Sequence, residues 1–281
     1  MLDTLLILYL TALACGSLGT ILVVRNESMI ADALSHSVLL GIVLGFFISN
    51  SLDSPLLIIG AALFGVFTVF FIDKLMISPK ITHDAATGLV FPLLFSIAVI
   101  LISMFARNVH LDLDMVLMGE IIFASLNTTN IFGIDIPVSL IKISIICFIN
   151  ILFLSMMYRR LSLFLFDSTQ ARLVGLKTKV LQTIIMLLVS FTTVISFDMV
   201  GSITVICFFV GPAMSALLFA KHYKQLLFLT ALFSLLNCVI GFFTAIYLDV
   251  TVSGTTTTIT LITLLLCVYI KHILKNRLYV K

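Results

Sequence analysis

The run Met29-Ile-Ala-Asp32-Ala-Leu-Ser35-His36-Ser-Val-Leu-Leu-Gly41-Ile-Val-Leu-Gly45-Phe-Phe-Ile-Ser49 is long enough to cross roughly 30 Å of hydrocarbon as a helix, yet it carries an acid and an imidazole. On a helix Asp32 and His36 are four residues apart, so they share a face about one turn, roughly 6 Å, from each other. Two readings of the pair stand at this level. Asp32 is a first-turn acid near the positive pole of the helix dipole, with His36 hydrogen-bonding to it. Alternatively, the two are ligand-type side chains turned toward an interior path, because an ionised Asp deep in a membrane helix costs at least about 2.5 kcal/mol and marks function. A carboxylate and an imidazole suit a divalent transition metal, and Ser35 stands where it can support them.

The rest of the chain makes the membrane setting plain. Of 281 residues 61% are hydrophobic and 10% charged, with a mean hydropathy of +1.27, against roughly half apolar and a quarter charged in soluble domains. The apolar residues come in long runs of Leu, Ile, Val and Phe rather than in alternation, which predicts an all-α polytopic bundle and not a β-barrel. A net charge of +3 follows membrane topology and forms no nucleic-acid patch. Cys15, Cys147, Cys207, Cys238 and Cys267 lie singly inside apolar runs, without the spacing of a disulfide framework or a thiolate metal site. Met1-Leu2-Asp3 supplies no basic leader to the first run, which therefore reads as a retained helix.

Nine apolar segments are candidate spans: Thr4 to Val24, Met29 to Ser49, Pro55 to Ile72, Ala85 to Ala106, Ile131 to Met157, Val180 to Phe197, Val200 to Ala220, Leu226 to Leu248 and Thr256 to Ile270. No break between them holds a second domain, so residues 1–281 read as one membrane domain. Basic groups collect at Lys74 to Lys80, Arg159 to Lys179, Lys221 to Lys224 and Lys271 to Lys281. Alternate counting puts all four on one side, the cytoplasmic one, with the N-terminus outside. The segment Leu111 to Ile121 is amphipathic and too short to span, so it is expected to lie at the outer interface or fold partly back. The tight turn Asp198-Met-Val-Gly201-Ser predicts short or broken flanking helices, and Gly211-Pro212 predicts a kink.

Further ligands would have to come from other helices, and Asn237, Asp198 and Asp249 are the polar candidates. Asp198 and Asp249 read more simply as residues ending helices at the outer surface, and His222 reads as part of a solvated cytoplasmic turn. The cytoplasmic stretch 161–179 has a helix start at Asp167 or Ser168, a short helix through Arg172 and a stop at Gly175. With small Ala171 and Gly175 four apart, it reads either as a surface that another protein approaches or as an interfacial loop helix.

Taken in order, these features resemble the permease subunits of the bacterial metal-ion ATP-binding-cassette importers for manganese, zinc or iron(II). The likeness runs from near Gly16 to the C-terminus. It includes Arg25 before Asp32-x-x-Ser35-His36-x-x-x-x-Gly41, then Asp84-x-x-x-Gly88, and Asp112-Leu-Asp114 with Leu117-Met-Gly119. It continues with Phe166-Asp167-x-x-x-Ala171-x-x-x-Gly175 and Val200-Gly201, ending at Val210-Gly211-Pro212-Ala213-x-x-Ala216. Two departures stand out: Asp249-Val-Thr-Val-Ser253-Gly254 lacks the proline usual in the family's outer turn, and Leu39-Leu40-Gly41 replaces the usual Leu-Pro-Gly.

The resemblance implies a fold like that of the type II importers, in a bacterial cell membrane. It implies an assembly of two permease copies, two cytoplasmic ATPases and an extracytoplasmic solute-binding protein. It also implies that Phe166, Asp167, Ala171, Arg172 and Gly175 belong to the place where the ATPase docks. The chain has no Gly-x-x-x-x-Gly-Lys-Ser/Thr phosphate loop, so the expectation is that it is not itself an enzyme. No permanently bound cofactor is expected, only a transported divalent ion, manganese first, with zinc or iron(II) as alternatives. The competing reading is an ATP-independent, ion-coupled transporter or channel in which Asp32 and His36 relay protons. An intramembrane hydrolase lacks a His-Glu-x-x-His pair or a supported Ser/His arrangement.

Overall fold

A computed structural model of the chain describes residues 1–51, 54–76, 81–105, 121, 127–131 and 134–279. Among them each of the nine apolar segments becomes a helix: α1 (Leu2–Val24), α2 (Met29–Ser49), α3 (Pro55–Leu75), α4 (His83–Phe105), α5 (Val138–Phe166), α7 (Thr178–Val200), α8 (Ser202–Leu217), α9 (Tyr223–Leu248) and α10 (Val252–Tyr279). A tenth, α6 (Ser168–Leu173), is the short cytoplasmic one. Among the described residues seven helices are long and apolar enough to cross a membrane, namely α1, α2, α4, α5, α7, α9 and α10. The chain is an all-α, multi-pass membrane protein. α8, at 16 residues, reaches only about 24 Å, shorter than the hydrocarbon layer, as the tight turn before it predicts. That turn is made by Gly201 alone, at φ 76° and ψ 165°, a conformation essentially restricted to glycine.

Side-chain contacts give the directions. Arg25 at the end of α1 meets Phe164 near the end of α5. Tyr223 at the start of α9 meets Thr20 and Tyr158, while Cys238 farther along α9 meets Leu8. α2 and α4 run the same way, with His36 beside Phe91 and Phe47 beside Phe105. Lys74, Arg159, Arg160, Lys177, Lys221 and Lys224 therefore gather at one end of the bundle, which the positive-inside rule assigns to the cytoplasm. Asp198 lies at the other end, 3.8 Å from Lys142.

α1 is the hub. It is buried without interruption from Ala14 to Val23, packed by α5, α7, α8 and α9. In lipid, apolar surface gives helices little reason to associate, so close backbone contact at small residues has to hold them together. Gly41 and Gly45 of α2 lie directly on the backbone of Gly60 and Leu56 of α3, and Gly19 of α1 lies on the backbone of Phe209. A polar seam adds hydrogen bonds: Asn150 donates to the Thr192 hydroxyl at 2.9 Å, and Cys15 meets Ser196 at 3.4 Å. The five cysteines are unpaired and none is exposed.

Two boundaries differ from the sequence reading. The expected loop to Asn130 and span from Ile131 give way to a β-hairpin, β1 (Thr128–Ile131) against β2 (Ile134–Pro137), paired Thr128 to Pro137. Asn130 donates to Asp135 across it at 2.9 Å, and α5 starts only at Val138. At its other end α5 continues past Met157 to Phe166, about 44 Å in all, because Leu161 and Phe164 still find buried positions while Arg159 and Arg160 point to water. Of the amphipathic segment 111–121 only Ile121, which is buried, lies within the described residues; Asp112, Asp114 and Gly119 lie outside them.

Candidate metal path and docking helix

α2 begins immediately after a tight turn, so Asp32 falls in its first turn, and His36 about 10 Å along the axis from Met29. The expected face-sharing is realised: His36 Nε2 lies 3.4 Å from Asp32 Oδ1, with both side chains half-buried, 27% and 35% exposed. α4 fixes the imidazole from behind. Phe91 stacks on it with ring centroids 5.7 Å apart, and Phe95 meets it edge-on at 5.4 Å. Sequence reasoning passed over both rings, although Phe91-x-x-x-Phe95 is the spacing that puts two side chains on one helical face. Ser35 does not reach its neighbours' side chains; its hydroxyl donates to the Asp32 carbonyl at 2.7 Å.

The other polar candidates lie elsewhere. Asn237 is buried between α9 and α10, where its Oδ1 accepts from Thr263 at 2.8 Å. Asp198 sits exposed in the last turn of α7, and Asp249 caps α9 in the left-handed conformation at φ 52°. Both take the helix-ending places that the sequence allowed for them. Among the described residues no three His, Cys, Asp or Glu side chains converge, so Asp32 and His36 stand as a pair near the cytoplasmic end of the bundle. α8 runs unbroken through Gly211 and Pro212, with Ser215 Oγ donating to the Gly211 carbonyl at 2.9 Å. Proline's missing N–H frees the Phe208 carbonyl, which lies toward Gly16 of α1.

α6 is built as the sequence predicts. Asp167 accepts the Gln170 N–H at 2.8 Å and so caps the start. At the stop, Gly175 (φ 83°) donates to the Arg172 carbonyl and Leu176 to that of Ala171, both at 3.0 Å, which is the Schellman arrangement. Within this fold Ala171 is fully buried, while Gly175 is exposed. The outward surface is mixed: Thr169, Gln170, Arg172 and Leu173 of α6 are exposed, flanked by exposed Phe166 and Val174, with Phe166, Leu173 and Val174 exposed by 66, 83 and 69%.

One further element escaped the sequence reading. Glu27, in the α1–α2 turn, is 7% exposed and accepts from Arg25 Nε and Nη2 at 3.0 and 2.7 Å. An acid two residues from an arginine is too common a pattern to signal burial.

A family model described as the ABC 3 transport family matches residues 1–272. The chain belongs to that family. Among the relatives of this ABC 3 family member, the manganese transport system membrane protein MntD of Bacillus subtilis is 39% identical over 246 residues, 87% of this chain and 83% of that protein. The zinc transport system membrane protein TroD of Treponema pallidum is 36% identical over 253 residues, 90% of this chain and 69% of that one. A chelated iron transport system membrane protein, YfeD of Yersinia pestis, is 28% identical over 85% of this chain and 74% of its own length. The fold is that of a solved structure, PsaBC from Streptococcus pneumoniae in complex with Fab, at a TM-score of 0.78 and 22% identity over 95% of this chain and 90% of that one.

Proposed function

We propose that this ABC 3 chain is the permease subunit of an ATP-driven importer of a divalent transition-metal ion, with manganese as the cargo and Asp32 and His36 as its transient ligands. The observation that carries the reading is the pair itself. Two donor atoms 3.4 Å apart can both reach one ion about 2.1 Å from each, subtending about 110° there, an ordinary coordination angle. Half exposure leaves further positions to water, and two protein ligands release an ion where a closed cage would keep it. Manganese as cargo is supported by the identity to MntD; the donors alone would bind zinc more tightly. A cytoplasmic ATPase docks on the exposed side of α6 around Arg172 and Leu173, a second copy of the chain completes the path, and an extracytoplasmic solute-binding protein delivers the ion. ATP acts by binding the inward- and outward-open states with different affinity.

The test is manganese uptake by proteoliposomes holding the chain with its ATPase, loaded from the solute-binding protein. Asp32→Ala and His36→Ala each lower uptake by at least about tenfold while the complex still assembles. Unchanged uptake in both variants overturns the ligand assignment, and uptake by the chain alone without ATP overturns the ATP-driven reading.

A further inference from the structure

α5 and α9 each pack along α1 and hardly touch one another. They leave between them a cleft of about 550 Å³, floored by Leu13 and Ser17 of α1 and walled by Ile151 and Tyr158 of α5 and Lys224 and Phe228 of α9. Its size is that of a small-molecule site. Its polarity is graded along the membrane normal. Toward the cytoplasmic end stand the phenol of Tyr158, stacked on Tyr223 with centroids 5.8 Å apart, and the ammonium of Lys224. Deeper in, Leu13, Ile151, Leu154, Leu227, Phe228 and Ala231 make the walls mostly hydrocarbon, broken by the Ser17 and Ser155 hydroxyls. The side is open toward lipid, since Phe228 is 70% and Ile151 46% exposed.

Lys224 is the charged side chain lining the cleft among the described residues. Lys221, Arg159 and Arg160 are exposed at the same end as Lys224, and among the described residues none of the four has an ion-pair partner. An occupant that fits this cleft has an anionic head at the cytoplasmic surface and an apolar tail running into the bilayer. Basic pockets between transmembrane helices on the cytoplasmic side recognise lipid head groups by this complementarity. We propose that the cleft between α5 and α9 is a binding site for an anionic phospholipid of the cytoplasmic leaflet. Lys224 and the Tyr158 hydroxyl hold its phosphate, and one acyl chain lies against Ile151, Phe228 and Leu13. The site is independent of the cargo assigned above, because it involves neither Asp32 nor His36.

Native mass spectrometry of the full-length chain in detergent, offered equal amounts of phosphatidylglycerol and phosphatidylcholine, tests the proposal. Phosphatidylglycerol is retained preferentially. Lys224→Gln lowers its retention about fivefold, the equivalent of about 1 kcal/mol for one lysine, and Ala231→Trp, which fills the cleft, lowers retention of both lipids. Lys271→Gln, on α10 away from the cleft, leaves retention unchanged. Equal retention of the two lipids by the unaltered chain overturns the proposal, as does an equal loss from Lys224→Gln and Lys271→Gln. A Ser155→Cys variant that cross-links two copies in membranes overturns it too, by making the cleft a contact between copies.

Discussion

The guanidinium of Arg25 lies 4.4 Å from the centroid of the Phe164 ring while it donates to Glu27. One side chain thus ties the end of α1 to the start of α2 and to the last turns of α5, just before α6. The Arg25 and Glu27 side chains are 19 and 9% exposed, and Glu27 Oε2 has no partner among the described residues. Removing Arg25 therefore strands a buried carboxylate. Arg25→Ala is expected to destabilise by about 3 kcal/mol, and the double change Arg25→Ala, Glu27→Ala by less. Thermal unfolding in detergent measures both; a double variant worse than the single one contradicts the account.

His36 is oriented by aromatic contacts rather than by a hydrogen-bonded carboxylate alone. Phe95→Ala is expected to weaken manganese-dependent uptake about tenfold in apparent affinity, the low end for groups that orient a ligand, while the maximal rate changes less. Uptake measured across a range of manganese concentrations separates the two effects.

α2 and α3 approach at Gly41 so closely that a Cβ there meets the Gly60 backbone, whereas a Cβ at Gly88 of α4 meets nothing within 4 Å. Gly41→Leu is expected to cost roughly 3 kcal/mol or more. Gly88→Ala is expected to stabilise by about 0.5 to 1 kcal/mol through reduced chain entropy. Equal behaviour of the two in a thermal-shift series refutes close packing as the bond between these helices.

At α6, folding and partner binding can be tested apart. Asp167→Ala removes the cap of α6 and is expected to cost about 1 kcal/mol locally, read as roughly fivefold faster hydrogen exchange at the α6 amides. Leu173→Glu alters a side chain that is 83% exposed and leaves the fold intact. It is expected to abolish co-purification with the ATPase, whereas a change confined to chain stability would show that α6 is not the docking surface.

Much of this molecule is written in local chemistry. Apolar run length alone predicts the nine helices, because a chain in lipid must satisfy its backbone within each segment and needs about 20 residues to do so. Asp167, Gly175 and Gly201 announce a cap, a stop and a turn through backbone preferences that act within a few residues. The i, i+4 spacing of Asp32 and His36 likewise puts them on one face of α2 about one turn apart, and in the fold their side chains meet at 3.4 Å.

What depends on which helices meet is invisible at that level. The tertiary structure alone decided that Phe91 and Phe95 of α4 hold His36, and that Asn237, Asp198 and Asp249 stand away from it. It also decided that Ala171 faces inward, that Glu27 is buried against Arg25, and that α5 and α9 part to leave a cleft over α1. The physical reason is that in lipid every face of an apolar helix looks alike. Pairing is set by the fit of small residues and a few polar contacts between segments far apart in the chain, and composition and spacing within one segment carry no record of it.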